Sequence, residues 1–334
     1  RLHALLHGLT APAFLFGAGL AFGITSYARY EAFRTPGRAL QKRLRRYALL
    51  LVIGYALQLP GGSLWAALHA QGDKLLLVFR VGPLQLIAVT LGACQLAMLA
   101  SRSARRHALA CAGAAGVIAW LATPVYTSGL SQHVGGFLGA YLDDRVGSQF
   151  PIFPWASFAL LGVAGGLAVR ERPALAGRWA LLVAGGALAL GAYACFYYRL
   201  VPYEKTTFWR CGVTYVLFRL GSVLALLGLF TRAPAAAPTR HDERAGAGAL
   251  LARHSLVAYV VHLLLLYGTP FTPNLARLYG GSLSLAQTGL ACALMIAVTV
   301  AAVYAWDFLQ REPVWLTRIR RVAAAAAGVV LLRP

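Results

Sequence analysis

The chain has 334 residues, of which 59% are hydrophobic and only 12% are charged, and its mean hydropathy is +0.64. This composition has more apolar residues than a single water-soluble core requires, so it excludes an ordinary soluble domain and predicts a membrane protein. The formal net charge is +21. Nucleic-acid binding is not predicted, because the basic residues lie in short segments between apolar runs rather than along a groove with interleaved aromatics.

Apolar runs of the length of a membrane span recur along the sequence. A transmembrane helix needs about 20 mostly apolar residues. The runs are rich in Leu and Ala, which is typical of helices whose backbone hydrogen bonds are satisfied internally. We therefore predict an all-α fold, a polytopic transmembrane helix bundle. Its nine predicted spans are residues 10–27, 47–59, 81–100, 108–123, 151–169, 179–197, 212–230, 251–267 and 285–306.

Basic residues are unequally divided between alternate loops. One set of loops holds 21 Lys and Arg residues and the other set holds seven. Because cytoplasmic loops collect Lys and Arg, residue 1 is predicted to lie outside and the C-terminus in the cytoplasm. One further span before residue 1 is expected, since it would return the N-terminus to the cytoplasm. The rich set comprises the segments 29–46, 102–106, 170–178, 232–253 and 311–321.

Residues 231–253 interrupt the apolar pattern with Ala, Pro, Gly and charged residues. Such a composition is typical of a flexible linker, here predicted to be cytoplasmic. We expect residues 1–230 to form the main transmembrane bundle. Residues 254–334 would supply C-terminal transmembrane helices of the same bundle and a basic cytoplasmic tail.

Polar side chains inside predicted spans are functional candidates, because burying them in lipid is costly. His262 shares one helix face with Ser255 and Tyr259, which lie seven and three residues before it. This stripe should face the bundle interior. It could be an interhelical hydrogen-bond clasp or the lining of an active site.

Arginines and a histidine near the predicted outer ends of spans are further candidates. Arg219 lies inside a span, and Arg80 lies at the mouth of another. The planar guanidinium suits phosphate or carboxylate, although an ion pair with Asp73 or Asp307 is an equal alternative. His7 precedes the first span, where it could be a general base or a simple interfacial histidine. No HExxH motif occurs, so no metal site is predicted.

Four blocks of sequence, in this order, carry a resemblance to a known family. They are APAFLFGAGLAFG, FRVGPLQLIAVTLG, FPIFPWASFALLGVAGG and HSLVAYVVHLLLLYG, all within residues 3–267. The pattern resembles the bacterial relatives of heparan-alpha-glucosaminide N-acetyltransferase, within the superfamily of transmembrane acyltransferases. The resemblance implies a multi-pass protein of the bacterial inner (cytoplasmic) membrane.

The resemblance also implies an activity and roles for individual residues. The enzyme would move an acetyl (acyl) group from cytoplasmic acetyl-CoA to an extracytoplasmic sugar or glycan amine or hydroxyl, without a metal. The implied catalytic histidine is His7, or else His3, acting either directly as a base or through an acyl-histidine. His262 would line the cavity or orient the acceptor. The implied substrate- or CoA-binding residues are Arg80, Gln85, Trp155, Arg219, Ser255 and Tyr259.

Two other classes of function are considered beside the acyltransferase. One is a proton-coupled transporter or flippase of a small anionic or glycolipid substrate, using His262 and Arg219 at the midplane. The absence of a recognisable inverted repeat counts against it. The other is a non-catalytic membrane scaffold. Membrane lipid, acetyl-CoA and a glycan acceptor are the expected partners, and a homodimer is left open.

Overall fold

The structure is a computed structural model that describes residues 8–59, 63–201, 209–231, 247–268, 275–311 and 328, except the side chains at positions 73, 74 and 247. Within these residues every regular element is a helix, which confirms the predicted all-α fold. Nine helices have 13 or more residues. In chain order they are α1 (Thr10–Ala28), α2 (Arg38–Ala56), α3 (Pro83–Ala100), α4 (Ala104–Ser128), α5 (Ile152–Glu171), α6 (Arg178–Tyr197), α7 (Val213–Phe230), α8 (Ser255–Tyr267) and α9 (Leu285–Arg311).

Shorter helices occupy several of the connections. The α-helical ones are Tyr30–Arg34, Leu64–Leu68, Asp73–Phe79, Leu130–His133, Gly136–Leu142, Ala247–Arg253 and Leu275–Tyr279. Two 3₁₀ helices lie in connections as well, at Asp144–Val146 and Pro173–Ala176. Three of these pieces, between residues 130 and 146, lie in the connection from α4 to α5.

Seven of the long helices are long and apolar enough to cross a membrane: α1, α3, α4, α5, α6, α7 and α9. They coincide with seven of the nine predicted spans, so the chain is a multi-pass membrane protein. Helix α8 has only 13 residues. Helix α2 begins at Arg38 rather than near residue 47, because the basic run and the apolar run that follows it form one continuous helix.

The chain forms two compact units. The first comprises Arg1–Gln58 with Gln71–Pro234, and the second comprises Leu59–Ala70 with Ala235–Pro334. Helices α1 to α7 belong to the first unit, and α8 and α9 pack on each other in the second. Of the predicted linker, residues 232–246 lie outside the described residues, and Ala247–Arg253 is a short helix.

Helix α5 is central to the first unit and packs against α1, α3 and α4. Its crossing with α1 is formed by small residues. A Cβ added to Gly19 would overlap the carbonyl of Ala159, and one added to Gly162 would overlap the carbonyl of Phe16. Glycine is therefore required there for the two backbones to touch. Gly17, by contrast, has nothing within 4 Å of such a Cβ.

The helix ends of the first unit form two groups, and contacts between loops join the members of one group. Tyr30 Oη donates to the carbonyl of Ser101 at 3.0 Å, and Arg105 pairs with Glu171 at 2.9 Å. These contacts bring together the connections that follow α1, α3 and α5. We call residues 25–46, 94–111 and 170–178 the basic end. The opposite end, which we call the cavity end, comprises residues 8–10, 54–58, 80–85, 126–155 and 209–219.

Candidate active site

A cavity of about 330 Å³ lies at the cavity end, which is within the usual size range of small-molecule sites. The end of α4, the turn at residues 143–149, the start of α5 and residues 209–215 form its walls. Four segments of the chain, between residues 126 and 215, thus meet around one space. The lining includes aromatic, charged and hydroxyl side chains, namely Tyr126, Asp143, Asp144, Ser148, Trp155, Trp209, Arg210 and Tyr215.

Aromatic rings form a fixed part of the cavity wall. Trp155 packs edge-to-face against Tyr215 at 6.3 Å and against Phe150 at 4.9 Å between ring centroids. Arg145 lies 4.6 Å over the ring of Tyr126, whose hydroxyl accepts a hydrogen bond from Arg210. Rings held in this way can stack on the apolar face of a ligand. Trp155, predicted to bind substrate, is therefore in a position to do so.

Asp143 places a buried carboxylate beside the cavity and is only 2% exposed. Its Oδ1 accepts hydrogen bonds from Ser131 Oγ at 2.7 Å and from the Arg145 N–H at 2.8 Å. Its Oδ2 is buried without a hydrogen-bond partner among the described residues. A carboxylate oxygen left so is costly, and Asp143 is also one of the residues that line the cavity.

Sequence reasoning missed Asp143. The available signal was the Asp143–Asp144 pair just before the Pro-aromatic block that begins at Phe150. Acidic residues in loops between spans are not buried in lipid, so nothing marks them as energetically costly. This pair was therefore not distinguished from the acids of an ordinary solvated loop.

Arg80 and Gln85 also lie at the cavity end. The Val81 N–H donates to Ser148 Oγ at 3.0 Å, and the Val81 carbonyl accepts from the Phe150 N–H at 2.9 Å, which ties this segment to the cavity turn. A Cβ on Gly147 would lie 3.1 Å from Arg80 Nε, an atom with no hydrogen-bond partner in the described part of the chain. Gly147 has φ +91°, which also favours glycine there.

Gln85 is 1% exposed and lies among the buried residues near the start of α3. Its Oε1 accepts from the Gly82 N–H at 3.2 Å. Its Nε2 and the Oε1 of Gln58 are both buried and have no hydrogen-bond partner within the residues that the structure describes. The binding role of Gln85 stays a prediction.

Arg219 connects the start of α1 with the cavity wall. It is 4% exposed, and its guanidinium lies 5.5 Å over the ring of Tyr215. The same guanidinium is so close to Gly8 that a Cβ there would overlap it. Gly8 directly follows His7 in the sequence. His7 and His3 themselves lie outside the described residues, so the catalytic role of either stays a prediction.

The predicted stripe of α8 belongs to the second unit. The rings of Tyr259 and His262 meet edge-to-face at 5.3 Å, and His262 Nδ1 donates to the Ala258 carbonyl at 3.2 Å. Ser255 is exposed. The shared face of Tyr259 and His262 thus follows the predicted spacing, and the roles of all three residues stay predictions.

Asp307 is paired within the second unit and not, as the alternative prediction had it, with Arg80 or Arg219. Its Oδ1 accepts from His254 Nε2 at 2.9 Å, and its Oδ2 pairs with Arg311 at 2.7 Å. Both oxygens are therefore engaged within the second unit, where Arg311 is one helical turn away on α9. The Asp73 side chain lies outside the described part.

The basic end contains a buried polar cluster that sequence reasoning also missed. His107 Nε2 donates to the Cys94 carbonyl at 2.9 Å, and Nδ1 is hydrogen bonded to Tyr27 Oη at 2.9 Å, so both nitrogens are satisfied. Cys94 and Cys111 are buried free thiols beside it. Among the described residues no group of three His, Cys, Asp or Glu side chains could hold a metal ion.

Comparison with known proteins gives one family match. The sequence model described as "Heparan-alpha-glucosaminide N-acetyltransferase, catalytic" matches residues 1–200. The match covers α1 to α6, including Arg80, Gln85, Asp143 and Trp155, while Arg219 and the α8 stripe follow it. No curated protein and no solved structure matches the chain. Because the match extends over more than half of the chain, this multi-pass membrane protein belongs to the heparan-alpha-glucosaminide N-acetyltransferase catalytic family, a family of membrane acetyltransferases.

Proposed function

We propose that the protein transfers an acetyl group from cytoplasmic acetyl-CoA to the amine or hydroxyl of an extracytoplasmic sugar or glycan. The membrane would be the bacterial inner membrane, with the C-terminus in the cytoplasm. The observation that carries the proposal is the aromatic-walled cavity beside Asp143 Oδ2, at the end of the bundle opposite the basic loops. The charge rule puts those basic loops in the cytoplasm, so the cavity would face the other side.

The composition of the cavity fits a sugar acceptor. Trp155 and Trp209 would offer ring surface to the C–H face of a sugar, while Asp143 would offer a hydrogen-bond acceptor to its polar groups. An amine is the preferred acceptor group, because a buried carboxylate attracts an ammonium more strongly than a neutral hydroxyl. Asp143 would hold and orient the acceptor before the amine loses its proton.

The reaction itself requires a base, a place for developing negative charge and a route for the donor. The acceptor nitrogen would attack the thioester carbonyl, so that a C–N bond forms, the C–S bond breaks and the proton passes to the departing CoA thiolate. His7 would carry this proton, or would first take the acetyl group itself. Arg219, next to Gly8, would stabilise the oxyanion.

The remaining predicted residues would bind the donor. Gln85 Nε2 is a buried amide donor with an unused hydrogen bond among the described residues, as a pantetheine carbonyl requires. Arg80 would bind an anionic group of donor or acceptor. Ser255, Tyr259 and His262 would line the donor path or orient the acceptor.

The test uses the full-length protein in proteoliposomes, with acetyl-labelled acetyl-CoA on one side and an aminosugar on the other. We expect label on the aminosugar nitrogen, and we expect His7→Ala to abolish the transfer. His69→Ala is the matched control, because His69 is exposed and donates only to the carbonyl of Trp65. Full transfer by His7→Ala would remove His7 from the mechanism.

The same vesicles distinguish the other classes of function. Uptake of unmodified sugar that follows a proton gradient, without label transfer, would identify a transporter. Neither transfer nor uptake by the intact protein would favour a scaffold.

A further inference from the structure

Helix α2 presents a stripe of exposed side chains whose character changes along its length. Arg38, Lys42, Arg45, Leu49 and Val52 are all exposed and follow one another at offsets of four, three, four and three. These offsets place them on one helix face. The first three are basic and the last two are apolar, with 51% of Leu49 and 65% of Val52 exposed. We call these five residues the α2 stripe.

The positive charge of the stripe is not neutralised by nearby acids. Within the described ranges no ion pair involves Arg38, Lys42 or Arg45. Glu31, in the short helix just before α2, is 3.5 Å from Arg34 instead. The start of α2 is therefore a site of concentrated positive charge, which attracts an anion.

The opposite face of α2 holds the stripe in place. Arg43 Nη1 donates to Ser26 Oγ at 2.6 Å and to Gln95 Oε1 at 3.0 Å, and its guanidinium lies 3.4 Å over the ring of Phe33. Tyr47 and Leu50 are buried further along the same face. The partners of Arg43 are neutral, so they fix the helix without reducing its charge.

The distance along the stripe matches one leaflet of a membrane. Ten residues separate Lys42 from Val52, which is about 15 Å of helix. Half of the hydrocarbon layer is also about 15 Å thick. A ligand with a phosphate at Lys42 and a fatty chain reaching Val52 would contact the whole stripe, whereas a soluble phosphate would contact only its basic half.

We propose that the α2 stripe binds an anionic diacyl phospholipid. The phosphodiester lies between Arg38, Lys42 and Arg45, and an acyl chain runs along Leu49 and Val52. This site is separate from the cavity and does not depend on the acetyltransferase proposal.

The test titrates the detergent-purified full-length protein with phosphatidylglycerol and follows bound lipid by native mass spectrometry. The test variant is Arg38→Gln/Lys42→Gln/Arg45→Gln. Each basic residue near a lipid surface contributes about fivefold to affinity, so we expect its Kd to rise roughly 100-fold. The control, Arg102→Gln/Arg172→Gln/Arg178→Gln, removes three exposed charges from separate positions and should change the Kd less than about threefold.

Further arms decide the source of the phosphate and guard against misfolding. Phosphatidylcholine with the same chains should bind at least tenfold more weakly, and neither inorganic phosphate nor free CoA should displace phosphatidylglycerol. Arg38→Lys/Arg45→Lys keeps the charge and should keep the affinity, which excludes a folding artefact. Equal losses in the test and control variants, equal binding of both lipids, or displacement by free CoA would each overturn the proposal.

Discussion

The basic end and the cavity end both bury polar side chains, but they satisfy them differently. At the basic end, both nitrogens of His107 are hydrogen bonded, and Arg43 has three hydroxyl or amide partners. At the cavity end, Asp143, Gln85 and Arg80 each keep one buried atom without a partner in the described part of the chain. Satisfied groups hold helices together, whereas unsatisfied buried groups are available to a ligand. Of these three residues, Asp143 lines the cavity. We therefore propose a structural role for the basic end and a chemical role for the cavity end.

Among substitutions that compare the two ends, Asp143→Asn at the cavity end should have the largest effect. Asparagine keeps an oxygen for Ser131 and the Arg145 N–H but replaces the carboxylate Oδ2 by an amide. Loss of a charged hydrogen bond to the acceptor should lower kcat/KM about 100-fold, with little change in thermal stability. Steady-state label transfer measures this change. Glu31→Gln, an exposed acid at the basic end, is the control, and an equal loss in both variants would contradict a specific role for Asp143.

A smaller effect, on stability rather than on activity, is expected at the basic end. His107→Leu removes the bridge between Tyr27 and the Cys94 carbonyl and leaves both polar groups buried. This should cost about 2 kcal/mol of stability, seen as a lower unfolding temperature in detergent. The kcat/KM of the protein that remains folded should be unchanged. A selective fall in kcat/KM at full stability would show that the basic end takes part in the chemistry.

The smallest effect is expected for Gln85→Leu, which is a second test of the cavity end. Leucine removes an Nε2 that has no partner among the described residues, but it also removes the Oε1 that accepts from the Gly82 N–H, so a loss of about 1 kcal/mol of stability is expected. Loss of one hydrogen bond to the donor should raise the KM for acetyl-CoA about fivefold. Thr90→Val is a control at another buried polar position of α3. An unchanged KM in Gln85→Leu would leave this amide without a role in donor binding.

The sequence predicted the spans well because membrane insertion depends on the length and apolarity of single segments. It failed at the start of α2, where Arg38 to Arg46 are too polar for a span, although the buried Leu40 and the bonds of Arg43 keep that turn helical. A hydropathy pattern cannot register a helix whose first half is basic and whose second half is apolar.

The candidate site was only partly predictable. Arg219 and Gln85 were recognised because polar residues in apolar runs are rare and costly. Asp143 was missed because its burial arises from tertiary contacts, with Ser131 twelve residues earlier and with the turn that begins at Arg145. Neither contact leaves a mark on local composition. The satisfied cluster of His107 was missed for the same reason.

The most direct test of the account is a cryo-electron microscopy structure of the full-length protein with free CoA and an aminosugar. We expect sugar density in the cavity, stacked on Trp155, with its amine within hydrogen-bond distance of the Asp143 carboxylate. Sugar density elsewhere, without contact to Asp143, would contradict this site.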